Sequence, residues 1–152
     1  MSSLAEYTDA GFIKRIKSKN KYKAIEELAT VFQDSRICDD IEALIKALKE
    51  REQIMSTGIG FGIAIPHAKI KSVQEIGFAI GISRNGIEFD SIDSKPVNLI
   101  ILVAAGERQH KEYLKILSSI MTLLKVNNIK EEIIRTEAPE KIMDILRKQN
   151  IA

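Results

Sequence analysis

Apolar residues recur along the chain with two periods, and the switches between them mark out the elements. Residues 12–17 alternate in the manner of an edge strand, after which Ala24, Ile25, Leu28 and Phe32 fall on one stripe at helical spacing behind Asn20, a side chain suited to capping. Ile41, Leu44, Ile45 and Leu48 repeat that spacing behind Asp39 and Asp40, whose carboxylates favour a helix N-terminus; this second helix is predicted to end near Glu52. Residues 56–62 carry three glycines and are predicted to be a loop, since glycine weakens helix and strand interiors alike. Residues 63–65 then read as a short buried strand. Residues 76–82 read as a further strand, and Arg84-Asn85-Gly86 carries the signal of a tight hairpin leading to Ile87 and Phe89. Pro96 opens a run, 97–103, that is apolar nearly throughout, which predicts a central strand. Beyond Gly106 the period becomes helical: Tyr113, Leu114, Ile116, Leu117, Ile120, Met121 and Leu124 form a wide stripe. Two more helices are predicted at 128–135 and 139–148, the second opened by Pro139. Helices, then strands, then helices predict an α/β fold, a sandwich of a mixed β-sheet flanked by helices, formed by residues 1–152 as a single domain.

Composition narrows the classes of function. At 152 residues, with 45% hydrophobic and 29% charged side chains, the chain is long enough and apolar enough for an ordinary globular core. The longest apolar run, around Val97 to Ala105, is far short of the roughly 20 residues a membrane helix needs, and the N-terminus carries no apolar signal segment. The expected location is the cytoplasm, with no direct membrane insertion. One cysteine, Cys38, excludes an internal disulfide, and two histidines make a metal site unattractive. Acidic neighbours disfavour a Cys38 thiolate, so it is expected to be inert. The net charge of +2 gives no footprint for nucleic acid, although Lys14, Arg15, Lys17, Lys19, Lys21 and Lys23 crowd one stretch. That run is expected to be a solvated basic face, with an acidic partner as the alternative.

The densest chemistry lies between Arg51 and Ala68. Its glycines let backbone amides approach an anion, and Arg51 offers a permanently charged, planar fork for phosphate oxygens. The segment ends in Ile65-Pro66-His67, and a neutral imidazole can attack phosphorus near neutral pH without a separate base. Two better-known glycine motifs do not fit. A Walker loop needs Gly-Lys-Ser/Thr ahead of a helix, and a dinucleotide fingerprint needs a strand before it and a helix after it. Glu52 is either an anchor for Arg51 or a solvated helix-end carboxylate.

Arg51-Glu52 followed by Ser56-Thr57-Gly58-Ile59-Gly60-Phe61-Gly62-Ile63-Ala64-Ile65-Pro66-His67 resembles the signature of the type 2 IIA domains of the bacterial phosphotransferase system, the fructose/mannitol class that includes the nitrogen-regulatory IIA protein. Pro96-Val97 and Tyr113-Leu114-x-x-Leu117-Ser118 resemble later segments of that family, so the likeness covers nearly the whole chain. The resemblance implies that His67 accepts a phosphoryl group from the small carrier HPr or a paralogue and passes it to a IIB domain or holds it as a signal for a regulatory target protein. It implies that Arg51 steadies the phosphate, with Ser56 and Thr57 shaping the pocket, and it requires neither metal nor cofactor. Regulation is slightly favoured over sugar transport, because no IIB, IIC or HPr segment is fused to the chain.

Relatives often carry a second histidine facing the first; here that slot holds Tyr113, with His110 one helical turn earlier. Either is expected to hydrogen-bond His67, Tyr113 ahead of His110. The missing histidine keeps a second class alive: an interaction or phosphate-sensing domain that retained the fold without carrier chemistry. Ile59, Phe61 and Ile63 are expected to form an apolar docking rim, unless they belong to the core.

Overall fold

A computed structural model describes residues 2–151. Six strands form one mixed sheet: β1 (Ile13–Arg15), β2 (Gly58–Gly60), β3 (Ile63–Ala64), β4 (His67–Lys69), β5 (Gly77–Ile87) and β6 (Val97–Ala105). Their order is β1-β5-β6-β3-β2, with β4 also paired to β6. β1 runs parallel to β5 and antiparallel pairing joins β5 to β6, while β3 and β4 lie one after the other, both parallel, along the other side of β6. The apolar 97–103 run is thus central, and β1 is the predicted edge.

Each face of the sheet buries its own core. On one side α1 (Lys21–Ala29), the 3-10 turn that follows it and α2 (Ile41–Ile54) cover Leu102, Ala104 and Ile100 with Ile25, Leu28, Phe32, Leu44 and Leu48. On the other, α3 (His110–Leu124), α4 (Ile129–Thr136) and α5 (Pro139–Arg147) cover Val103, Ile101 and Leu99 with Ile116, Ile120, Ile133 and Ile142. The alternation of β6 residues between the two cores is the period-2 rule at work, and beyond Asn98 the strand is buried on both faces and wholly apolar. The α/β sandwich is confirmed by this arrangement.

The caps follow local chemistry. Asn20 Oδ1 accepts from the amides of Tyr22 and Lys23, and Asp40 Oδ1 from that of Ala43, so each side chain supplies an acceptor that the first turn lacks. No helix among the described residues is long and apolar enough to cross a membrane.

Several sequence expectations need correction. Arg84-Asn85-Gly86 makes no hairpin; β5 continues through it as an irregular stretch with Gly86 at φ +82°. Pairing resumes at Ile87 opposite Val97, and Asn98 Nδ2 donates to the carbonyls of Ser83 at 2.9 Å and Arg84 at 3.3 Å. A long central partner and one side-chain amide thereby override the local turn signal. Within the glycine segment, residues 58–60 form β2, paired to β3, because Gly58 must lie against Ser91: a Cβ there would meet Ser91 Oγ at 2.3 Å. The basic run is a solvated face only in part: Lys17, Lys19 and Lys23 are exposed, while the other members are tied to carboxylates. Lys14 pairs with Glu27 at 3.1 Å, Arg15 with Glu137 at 2.9 Å, and Lys21 is buried against Glu52 at 3.4 Å and Asp90 at 3.5 Å. Leu114 faces solvent, and Leu123 is buried in the core with Leu124 packed against it, half-buried. Cys38 precedes α2, buried, with Sγ 3.3 Å from the Asp40 carbonyl oxygen.

Candidate functional site

Pro66 interrupts the strand between β3 and β4. It has no amide to donate, but its carbonyl accepts from Val103 N at 2.9 Å, and pairing along β6 restarts with His67 opposite Val103. Alternation then sends Ala68 into the α1/α2 core and His67 to the α3 side. The His67 ring is neither sealed in nor fully exposed. Its Nδ1 lies 3.0 Å from the Ile65 carbonyl oxygen. A carbonyl can only accept, so Nδ1 carries the proton and Nε2 keeps its lone pair; among the described residues Nε2 has no hydrogen-bond partner.

Electrostatics keep this ring neutral. Burial, the largest influence, pushes the His67 pKa below the usual 6.5; the Ile65 hydrogen bond opposes that, Arg51 and Lys69 reinforce it, and Glu52 opposes it weakly. An imidazole that stays unprotonated below pH 6.5 remains a nucleophile there.

Tyr113, on the first turn of α3, lays its ring beside the imidazole with centroids 5.3 Å apart and planes 36° apart. It meets His67 ring against ring, and the hydrogen bond the sequence suggests is not formed among the described residues. Burial pushes the Tyr113 phenol upward, with Arg51 partly offsetting it, so the phenol is neutral at physiological pH. His110 lies further out, its ring 6.1 Å from that of Tyr113 and its Nδ1 2.7 Å from Lys69 Nζ. It does not contact His67.

Arg51 sits on the last turn of α2, where its Nη1 donates to the Met55 carbonyl at 2.9 Å. That bond satisfies an orphan carbonyl at the helix end and folds the guanidinium over the terminus, leaving its other N–H groups for an anion. Glu52 fits neither reading offered for it: the carboxylate is buried, turned away from Arg51, and accepts from Thr57 N at 2.8 Å, Thr57 Oγ1 at 2.6 Å and Lys21 Nζ at 3.4 Å. Both polar groups of Thr57 are therefore engaged with Glu52. Ser56 Oγ donates to the Phe89 carbonyl and accepts from Gly58 N at 3.0 Å. These residues hold the segment's shape from below. Ile63 belongs to the core, Ile59 is half-buried, and Phe61 is 78% exposed, at φ +58°, its amide donating to Asp93 and its carbonyl accepting from Lys130.

The sequence did not single out Lys21 or Lys69. Lys21 looks like one more surface lysine until its partners 31 residues away are seen. Lys69 carried a legible signal: two residues past His67 on a strand, it shares that face. The arrangement offers a neutral nucleophilic nitrogen, a stacked aromatic floor and two cations, the pattern expected of a site that holds a transferable anion.

The family described as "Phosphoenolpyruvate-dependent sugar phosphotransferase system, EIIA 2" matches residues 6–149. The chain is 37% identical over 135 residues to the fructose-specific EIIABC component of Bacillus subtilis, covering 89% of this chain and 21% of that much longer protein. It is 36% identical to the fructose-specific EIIA component of Haloferax volcanii, covering 83% of this chain and 82% of the other. The crystal structure of nitrogen regulatory protein IIA-Ntr from Neisseria meningitidis superposes with a TM-score of 0.84 at 26% identity, over 94% of this chain and 98% of that one.

Proposed function

This chain belongs to the EIIA 2 family of the phosphoenolpyruvate-dependent sugar phosphotransferase system, and we propose that it carries a phosphoryl group on Nε2 of His67. HPr or a paralogue is the donor, and a IIB domain or a regulatory target is the recipient. The observation that supports this reading is the tautomer: with its Nδ1 proton held by the Ile65 carbonyl, the half-buried ring keeps the lone pair on Nε2 free of any hydrogen-bond partner among the described residues.

In the transfer, Nε2 attacks phosphorus as the donor's N–P bond breaks, and the donor imidazole leaves with that electron pair. The phosphoryl oxygens keep their charge throughout. The His67 ring, still protonated on Nδ1, gains formal positive charge, which the Ile65 carbonyl stabilises. Arg51 supports in-line alignment by meeting the oxygens with its remaining donors. Onward transfer runs the same steps in reverse, and neither metal nor cofactor takes part. In this reading Ser56 and Thr57 act on phosphate indirectly, by fixing the loop that presents the site.

Incubating the chain with phosphoenolpyruvate, enzyme I and HPr tests the proposal. Acid-labile label is expected on the wild-type chain and none on His67→Ala; label that persists in His67→Ala contradicts the site. Supplying a purified IIB domain separates transport from regulation, since discharge onto IIB is expected only in the transport role.

A further inference from the structure

A second cation stands at this site, and its resting partner carries no charge. Lys69 lies two residues beyond His67 on β4, so both side chains leave the sheet on the α3 face, with Cα atoms roughly 6.6 Å apart. Tyr113 is their shared neighbour: its ring centroid is 5.0 Å from Lys69 Nζ and 5.3 Å from the imidazole centroid. The ammonium rests over this aromatic face while donating to His110 Nδ1 at 2.7 Å. An ammonium has donors only, so that ring nitrogen must accept, and the resting partner of Lys69 is a neutral imidazole and not a carboxylate.

The other nearby cation is differently placed. Arg51 is anchored to the Met55 carbonyl at a helix end, whereas Lys69 is solvent-exposed on a flexible four-carbon stem. A phosphoryl group on His67 would bring close to two negative charges next to Tyr113. A dianion competes better for an ammonium than a neutral ring nitrogen does, because it adds the attraction of opposite charges to the hydrogen bond.

Resting on the carrier reading of His67, we propose that Lys69 is a catalytic residue: its ammonium is held by His110 while His67 is bare and crosses the Tyr113 ring to the phosphoryl oxygens when His67 is charged. His110 is then its resting partner, a role that explains a histidine close to the site that makes no contact with His67. A cation that arrives with the phosphoryl group and has a berth to return to stabilises the transferring charge without trapping it. No bond to Lys69 forms or breaks in this step; the ammonium keeps its proton and exchanges one acceptor for another.

The test uses the full chain, its Lys69→Met and Lys69→Arg variants, and phosphorylation by phosphoenolpyruvate, enzyme I and HPr. Lys69→Met is expected to accept label on His67 roughly tenfold more slowly, the effect of losing one charge-assisted contact to the transition state, with Lys69→Arg recovering most of the rate. The His110 ring nitrogens, followed by NMR, are expected to shift when wild-type His67 is phosphorylated and to stay put when Lys69→Met is phosphorylated. Equal rates for wild type and Lys69→Met, or a His110 signal indifferent to phosphorylation of the wild type, overturn the role of Lys69 while leaving the carrier reading intact. A wild-type chain that takes no label overturns both.

Discussion

Two stretches of this chain are rich in cations, and they put them to opposite uses. In residues 14–23, Lys14, Arg15 and Lys21 are neutralised by Glu27, Glu137 and Glu52, carboxylates contributed by three different helices or their ends. In residues 51–69, Arg51 and Lys69 face no such anion: one is bonded to a carbonyl and the other to an imidazole. The sequence shows charge density alone. What decides whether a cation is cement or a binding group is the partner that tertiary structure assigns it, and among the described residues Arg51 and Lys69 are cations that act on the His67 ring with no carboxylate partner of their own.

The largest effect that sharpens this contrast is expected at the bolt between the two stretches. Glu52→Ala leaves the Thr57 donors without an acceptor and the buried Lys21 ammonium with only the exposed Asp90 and the Phe89 carbonyl at 3.5 Å, and should lower unfolding stability by about 3–5 kcal/mol in urea titrations. A loss below about 1 kcal/mol would mean that the carboxylate is incidental. Next comes Arg51→Ala, which should slow phosphoryl transfer about a hundredfold, close to 2.7 kcal/mol, while leaving the denaturation midpoint almost unchanged. A large drop in stability with transfer intact would place Arg51 among the structural cations instead.

Smaller effects follow from titration. Because the folded pKa of His67 is lowered, the unfolded chain binds more protons just below pH 6.5, and stability should fall as pH drops through that value toward the folded pKa. His67→Ala should flatten that part of the stability profile. Glu27 titrates oppositely in cause but in the same direction. Burial pushes its pKa up, yet the hydrogen bonds from Ser18 and Lys17 and the Lys14 contact outweigh burial and bring it from 4.5 to about 2. Its contribution is present above pH 4.5 and lost as pH falls toward 2, so Glu27→Gln should lessen the steepness of acid unfolding. Smallest of all, Lys14→Ala should change stability by no more than about 1 kcal/mol and transfer not at all, because its pair is partly exposed and screened.

Much of the fold could be read from periodicity and caps. Asn20, Asp40 and Pro139 marked helix starts because each solves a local problem of the first turn, and the 97–105 strand declared itself by having no polar face. Asn85-Gly86 misled because a turn signal is local, whereas the ladder to β6 and the Asn98 amide are not. The motif was enough to name His67 as the candidate nucleophile, but the contacts around it were not legible. Glu52, Lys21 and Thr57 form a network whose members lie on α1, α2 and a loop. Lys69 and His110 are 41 residues apart, and nothing in the sequence pairs them.

The central claim concerns one atom, and heteronuclear NMR of the phosphorylated, 15N-histidine-labelled chain addresses it directly. Coupling between phosphorus and His67 Nε2, with Nδ1 still bearing its proton, is the expected result. Phosphorus coupled to Nδ1, or to either nitrogen of His110, would contradict the account, since the Ile65 carbonyl would then not be setting which nitrogen reacts.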